Sequence, residues 1–244
     1  MDNQELAQEL AESQKIEFDS KIMELVREMA LVGLMYGHKK SKTNPKFKQY
    51  IYTTRGGMEI IDLAQTLSAL DKAVEFLKAQ IKNGKTILLI AIQPAAKEAM
   101  TKFSQEFKFP SINERWIGGL LTNFKTVSRR IEYFKKIKAD SEKGTFEKYT
   151  KKERSVINKS IARMETMFSG LENLEKLPDI VFIIDNSLKG HATALREAKR
   201  LKIPVVAVID SDDNPEAVDY PIPANDHAKS SIDWIVNQLI EKLK

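Results

Sequence analysis

Apolar positions along this chain follow two different rhythms, and the change between them is sharp. In the first, short continuous apolar runs alternate with helical stripes. Thr86-Ile87-Leu88-Leu89-Ile90-Ala91-Ile92, Asp179-Ile180-Val181-Phe182-Ile183-Ile184-Asp185 and Pro204-Val205-Val206-Ala207-Val208-Ile209-Asp210 have the length and make-up of strands buried on both faces. Leu63, Leu67, Leu70, Val74, Leu77 and Ile81 recur at helical spacing, with Asp62 as N-cap and Asn83-Gly84 as the stop. Further helices are predicted from near Pro94, a favoured first-turn residue, from about Ala192 to Leu201, and from Ser231 to Leu243. Ile22, Leu25, Val26 and Met29 mark a shorter one ending at Gly33, and Ile51 to Ile61 reads as extended pieces around a Gly56-Gly57 turn. Strands alternating with helices imply an α/β fold with a doubly wound parallel sheet.

From Thr122 to Leu177 the second rhythm takes over. Phe124, Val127, Ile131 and Phe134 line one helix; Ile157, Ile161, Met164, Phe168 and Leu171 line another. A polar connector with Gly144 separates them, and Thr150 with Glu153 forms a capping box for the second. This predicts an antiparallel helical hairpin inserted in the α/β body.

Composition narrows the class. The chain has 244 residues, 42% hydrophobic and 30% charged, enough to bury a sizeable core under a charged surface. No stretch approaches the roughly 18 apolar residues that signal a membrane span. With Cys 0, disulfides and thiolate metal sites are excluded, which suits a cytosolic protein. The net charge of +5 matters less than its distribution. Met29 to Met58 carries no acidic residue, whereas Ile203 to Ala228 carries no Lys or Arg but holds Asp210, Asp212, Asp213, Glu216, Asp219 and Asp226. Segregated fields of this kind orient a partner as well as attract it.

The basic segment runs from Gly37 to Tyr50 and has loop chemistry at Asn44-Pro45, with Phe47 and Tyr50 set among lysines. Lysines neutralise phosphates and rings stack on exposed bases, so the segment suits RNA. Alternatively, the two rings simply pin a solvated loop to the core. At Arg115-Trp116-Ile117-Gly118-Gly119, the guanidinium and indole either grip an irregular RNA element or, for the indole, plug the seam between body and hairpin. The two glycines are assigned to backbone geometry.

Enzymatic readings find little support in the residues. The turn after the first long strand, Ala91-Ile92-Gln93-Pro94-Ala95-Ala96, lacks the glycines of a phosphate cradle, and Pro94 removes an amide donor. No GxxxxGK[ST] occurs. Asp185 and Asp210, at the carboxyl ends of two predicted strands, with Asp212 and Asp213 nearby, could hold Mg²⁺; the same residues are also ordinary turn formers. His38, His191 and His227 show no ligand-like spacing.

Several segments together resemble one family, the small-subunit ribosomal protein S-two, in its bacterial or organellar form. They are Gly37-His38, Asn44-Pro45-Lys46 with Tyr50-Ile51, Ile60-Ile61-Asp62-Leu63, Asn113 to Phe124, Leu177-Pro178-Asp179, Ile203 to Ala207, and Asp219 to Pro223 with Asn225-Asp226. The resemblance implies a non-enzymatic, rRNA-binding constituent of the small subunit, lying between head and body, ribosome-bound in the cytoplasm. It also implies a Rossmann-like body carrying a coiled-coil hairpin, neighbouring small-subunit proteins as partners, and ribosomal protein S-one among them. The chain departs from the family in having Gln93-Pro94 where a Lys-Arg pair is common, and lysines where the first loop often has arginines and a tryptophan.

The resulting expectation is an acidic N-terminal extension over 1–17, an α/β body over 18–121 and 178–244, and a hairpin over 122–177. RNA contacts are expected from His38, Lys39, Lys40, Lys42, Lys46, Lys48, Arg55, Arg115, Trp116, Lys125, Arg129 and Arg130. No cofactor is expected, a structural Mg²⁺ apart.

Overall fold

The computed structural model describes residues 20–244; the acidic extension lies outside the described residues. In chain order the body begins with α1 (Ser20–Leu31), β1 (Tyr36–Lys39), β2 (Ile51–Arg55), β3 (Met58–Ile61) and α2 (Leu63–Lys82). It continues through β4 (Ile87–Ile90), α3 (Lys97–Phe107) and β5 (Ser111–Ile112). After α4 (Phe124–Glu142) and α5 (Lys151–Phe168) come β6 (Ile180–Ile184), α6 (Lys189–Arg200), β7 (Val205–Ile209), β8 (Tyr220–Pro223) and α7 (Lys229–Leu243).

Five strands form a parallel sheet in the order β5-β4-β6-β7-β8. Because side chains alternate across a strand, each apolar run feeds two cores. Ile87, Leu89, Ile180, Phe182, Val206 and Val208 face one core, completed by Met29 of α1, Leu70 of α2, Phe103 of α3 and Ile235 of α7. Leu88, Ile90, Val181, Ile183, Val205 and Ala207 face the other, completed by Ala194 and Ala198 of α6. Val127, Ile131 and Phe134 of α4 and Phe168 of α5 enter that second core, so the base of the hairpin shares the body's interior. The doubly wound architecture is as expected from the alternation.

The helix signals held. Asp62 accepts from the backbone of Ala64 and Gln65. Thr150 and Glu153 form the reciprocal capping box. Helices α4 and α5 run antiparallel: Phe134 meets Phe168 at 6.1 Å between ring centres, while Lys138, one turn on, reaches back to Glu165 at 3.9 Å.

Three elements escaped the sequence pattern. β5 has only two residues, and β8 contains Pro221 and Pro223, which are tolerated because it is an edge strand. The segment read as a loop from Gly37 is partly ordered: β1 joins β3 and β2 in a small antiparallel sheet, followed by 3₁₀ turns at Lys40–Lys42 and Pro45–Tyr50. The β2–β3 turn uses Gly56 and Gly57 at φ 58° and 78°, the positive pair that a tight two-residue hairpin requires.

Candidate nucleic-acid interface

The basic segment is rigidly mounted on the loop that leaves β7. The backbone N–H of His38 donates to Ser211 Oγ at 2.7 Å, and His38 Nδ1 pairs with Asp210 Oδ2 at 2.9 Å. Further on, the N–H of Asn44 donates to the carbonyl of Ser211 at 2.8 Å. The approach is so close that a Cβ on Gly37 would lie 2.8 Å from Ser211 Oγ, so any larger residue there must push the Ser211 side chain aside. Asn44 Oδ1 in turn accepts from the N–H of Lys46 and starts the second 3₁₀ turn.

Both aromatic residues of this segment serve the interior. Phe47 is fully buried, and half-buried Tyr50 lies against it with ring centres 5.4 Å apart. Phe47 pins the loop and offers no stacking platform, and Tyr50 packs one side of its ring against it. What reaches solvent is the charge: Lys39, Lys40, Lys42 and Lys48 are exposed and make no ion pair among the described residues. Lys46 differs, being paired with Glu216. Arg55 is half-buried at the end of β2.

Of the two places the sequence leaves open for Trp116, on an RNA element or in the seam between body and hairpin, the structure excludes direct RNA contact: the indole is 6% exposed and sits in the second core. Its Nε1 donates to Glu197 Oε1 of α6 at 3.0 Å. The same carboxylate accepts from the N–H groups of Gly119 (2.8 Å), Leu121 (3.1 Å) and Thr122 (3.2 Å) and from Thr122 Oγ1 (3.2 Å). Burial alone pushes the Glu197 carboxyl up, yet this set of donors outweighs it and holds the group below its ordinary value. Trp116 thus takes the seam-plugging place, and the glycine-rich loop is wrapped around a buried anion. Gly119 needs its freedom at φ 81°; nothing in the structure explains Gly118, where a Cβ would meet no atom within 4 Å.

Arg115 is exposed beside this anchored loop, and Lys125, Arg129 and Arg130 are exposed on the first turns of α4. Residues 125 and 129 are one helical turn apart and share a face. Lys138 is used internally: it bonds Glu172 at 3.0 Å, which raises its pKa, and ties α4 to the chain leaving α5.

The turn after β4 is closed by a histidine from α6. After β4, the N–H of Ile92 donates to His191 Nε2 at 3.0 Å, so an amide that would face a phosphate in a nucleotide-binding turn is already occupied. Burial keeps His191 neutral by lowering its pKa. The four aspartates considered for Mg²⁺ separate into two groups. Asp210 and Asp212 face His38, at 2.9 and 3.4 Å. Asp185 and Asp213 turn inward and meet Asp226. His227, whose spacing in the sequence gives no hint of a link to His38, places its ring 4.9 Å from that of His38 and pairs its Nδ1 with Asp226. The Asp226 partner pushes His227 up to about 9, and the Asp210 hydrogen bond raises His38.

A closed turn after β4, an exposed lysine ledge and a second basic surface on α4 define a binding and scaffolding protein built on an α/β sheet. The profile of the family "Ribosomal protein S2" matches residues 29–243, and the chain belongs to that family. It is 37% identical over 219 residues to "Small ribosomal subunit protein uS2" of Dictyoglomus thermophilum, covering 90% of this chain and 88% of the relative. It is 40% identical over 211 residues to the protein of the same name from Arthrobacter sp. (strain FB24), covering 86% and 71%. The chain is therefore a structural, non-enzymatic protein of the small ribosomal subunit, ribosome-bound in the cytoplasm. Among the described residues no helix is long and apolar enough to cross a membrane.

Proposed function

We propose that this chain binds small-subunit rRNA between head and body, by phosphate contacts and shape, and so supports translation. The observation that carries this is the ledge of Lys39, Lys40, Lys42 and Lys48, exposed and without an ion pair among the described residues, on a backbone clasped at His38 and Asn44. Charges on a fixed backbone can match a fixed array of phosphates, with little ordering cost on binding. Arg115, Lys125, Arg129 and Arg130 supply a second basic surface; its four exposed cations include three guanidinium groups suited to bidentate phosphate contact. Trp116 contributes indirectly, by holding the loop that carries Arg115. The position between head and body, and ribosomal protein S-one as a neighbour, rest on the family resemblance.

The test is incorporation. Lys39→Glu, Lys40→Glu and Lys42→Glu together should leave folding intact and sharply reduce the protein's co-sedimentation with small subunits in reconstitution. Binding of the wild-type chain to rRNA should also weaken steeply with salt, each lost phosphate contact lowering that slope by about 0.7–0.9. Normal incorporation of the triple variant would remove this ledge as a main contact.

A further inference from the structure

Beside the basic segment, the first half of α2 and the edge strand β8 enclose a hollow of about 310 Å³. Its walls include Tyr50, Gln65, Ser68, Lys72, Asp219 and Tyr220. Two aromatic rings thus reach one cavity from distant parts of the chain, and each is held from behind. Tyr220 is stacked on Phe76 at 4.2 Å with 17° between the ring planes. Tyr50 rests against Phe47, and its backbone carbonyl accepts from the N–H of Asp62 at 2.9 Å.

The polar groups of the hollow are fixed as well. Gln65 Nε2 donates to the carbonyl of Gln49 and to Asp62 Oδ2, both at 3.0 Å. Those bonds occupy the amide nitrogen and leave the amide oxygen as an acceptor. Asp219 Oδ2 accepts from the N–H of Val205 at 2.8 Å, and Oδ1 has no hydrogen bond among the described residues. Lys72 is exposed and has no ion pair among the described residues.

We propose that this hollow binds one unstacked base of the small-subunit rRNA, a base that bears an exocyclic amine. The proposal rests on the rRNA-binding reading above and extends it from phosphates to a nucleobase. A cavity at the small end of the ligand-pocket range takes a single base with its sugar and is too small for a helix. Tyrosine rings suit stacking, the usual way in which proteins hold unpaired RNA bases. The two free acceptors, Gln65 Oε1 and Asp219 Oδ1, match the amine of adenine, cytosine or guanine. Uracil carries one N–H between two carbonyls, and would set acceptors against acceptors.

RNA is the occupant because the hollow continues the lysine ledge. Tyr50 ends the 3₁₀ turn that carries Lys48, and Gln65 bonds Gln49 of that same turn. An RNA strand lying on the ledge can therefore turn one base into the hollow, where Lys72 is placed to meet a flanking phosphate.

The experiment measures binding of the full chain to small-subunit rRNA transcribed in vitro. Ser68→Trp fills the hollow from an exposed helix position, which the fold tolerates, and Tyr50→Leu removes one ring. Each should weaken binding about tenfold with the salt slope unchanged, because a stacked base is lost and no phosphate contact is. The Lys39, Lys40 and Lys42 triple variant should instead lower affinity and slope together. Base-specific chemical probing should show one unpaired adenine, cytosine or guanine protected by the wild-type chain and re-exposed with Ser68→Trp. Affinity of Ser68→Trp within about twofold of wild type would overturn the proposal, as would a protected uracil. So would normal binding of Ser68→Trp to naked rRNA with failure to enter complete subunits, since the hollow would then hold a protein side chain. Intact Ser68→Trp binding beside steep salt dependence leaves the ledge standing without the base site, whereas a wild-type chain that does not bind rRNA ends both. Ser68→Trp decides the matter even if Tyr50→Leu fails to fold.

Discussion

Two irregular segments of this protein are held in place by carboxylates, in contrasting ways. The 115–123 loop folds around Glu197, whose donors are three backbone N–H groups, an indole and a hydroxyl. The basic segment hangs on Asp210 and Ser211, and its main charged link is an imidazole. Backbone amides and indoles do not titrate near neutral pH; imidazole does. The first anchor is therefore indifferent to physiological pH and the second is sensitive to it. A surface that carries an arginine beside a packed indole is set permanently, whereas the lysine ledge is tied down in a way that acid strengthens and base loosens.

The strongest way to break the comparison is at Glu197. Glu197→Ala leaves buried N–H groups without an acceptor and should destabilise the protein by about 3–5 kcal/mol. Denaturant unfolding measures it, and a loss under about 1 kcal/mol would mean that the loop does not depend on this anchor. A smaller effect is expected at the other anchor from Gly37→Ala. The added methyl must displace Ser211, at a cost of about 1–3 kcal/mol, with faster amide exchange over 37–44 as the local signature.

The smallest effect, and the one that sharpens the contrast, is pH dependence. His38 and His227 have raised folded pKa values, so their stabilisation is complete below about 6.5 and is lost as pH rises through those values, about 9 for His227. The raised carboxyls of Asp213 and Asp226 act in the same direction: the unfolded chain gives up those protons near pH 4 and the native chain only near 9 and 7. Facing them are Asp185, Asp210 and Asp212, while Lys39 and Lys42 line the same hollow as His38, Asp210 and His227. Stability should fall from pH 6 to pH 9, and His38→Gln should flatten that fall. An equal slope in wild type and variant would exclude the imidazole as the pH-sensitive link.

The sequence by itself determined the doubly wound body, the paired helices, their caps and the basic character of the 37–50 segment. These are local or periodic properties, written in neighbouring residues: alternation of apolar runs and helical stripes, Asp62 and Thr150 at helix starts, lysines without nearby acids. The short strands β5 and β8 were hidden because two residues, or a run containing two prolines, carry almost no periodic signal. Only the tertiary structure decided that Trp116 is interior, that His38 and His227 meet, and that Asp185 and Asp213 find Asp226 while Asp210 does not. Each of these depends on which chain ends the sheet order brings side by side, across separations that no local pattern spans. Glu197 shows the difference most clearly. In the chain it is one charged residue on a helix, and it becomes an anchor only because β4, β6 and α6 bring the 115–123 loop within hydrogen-bonding reach.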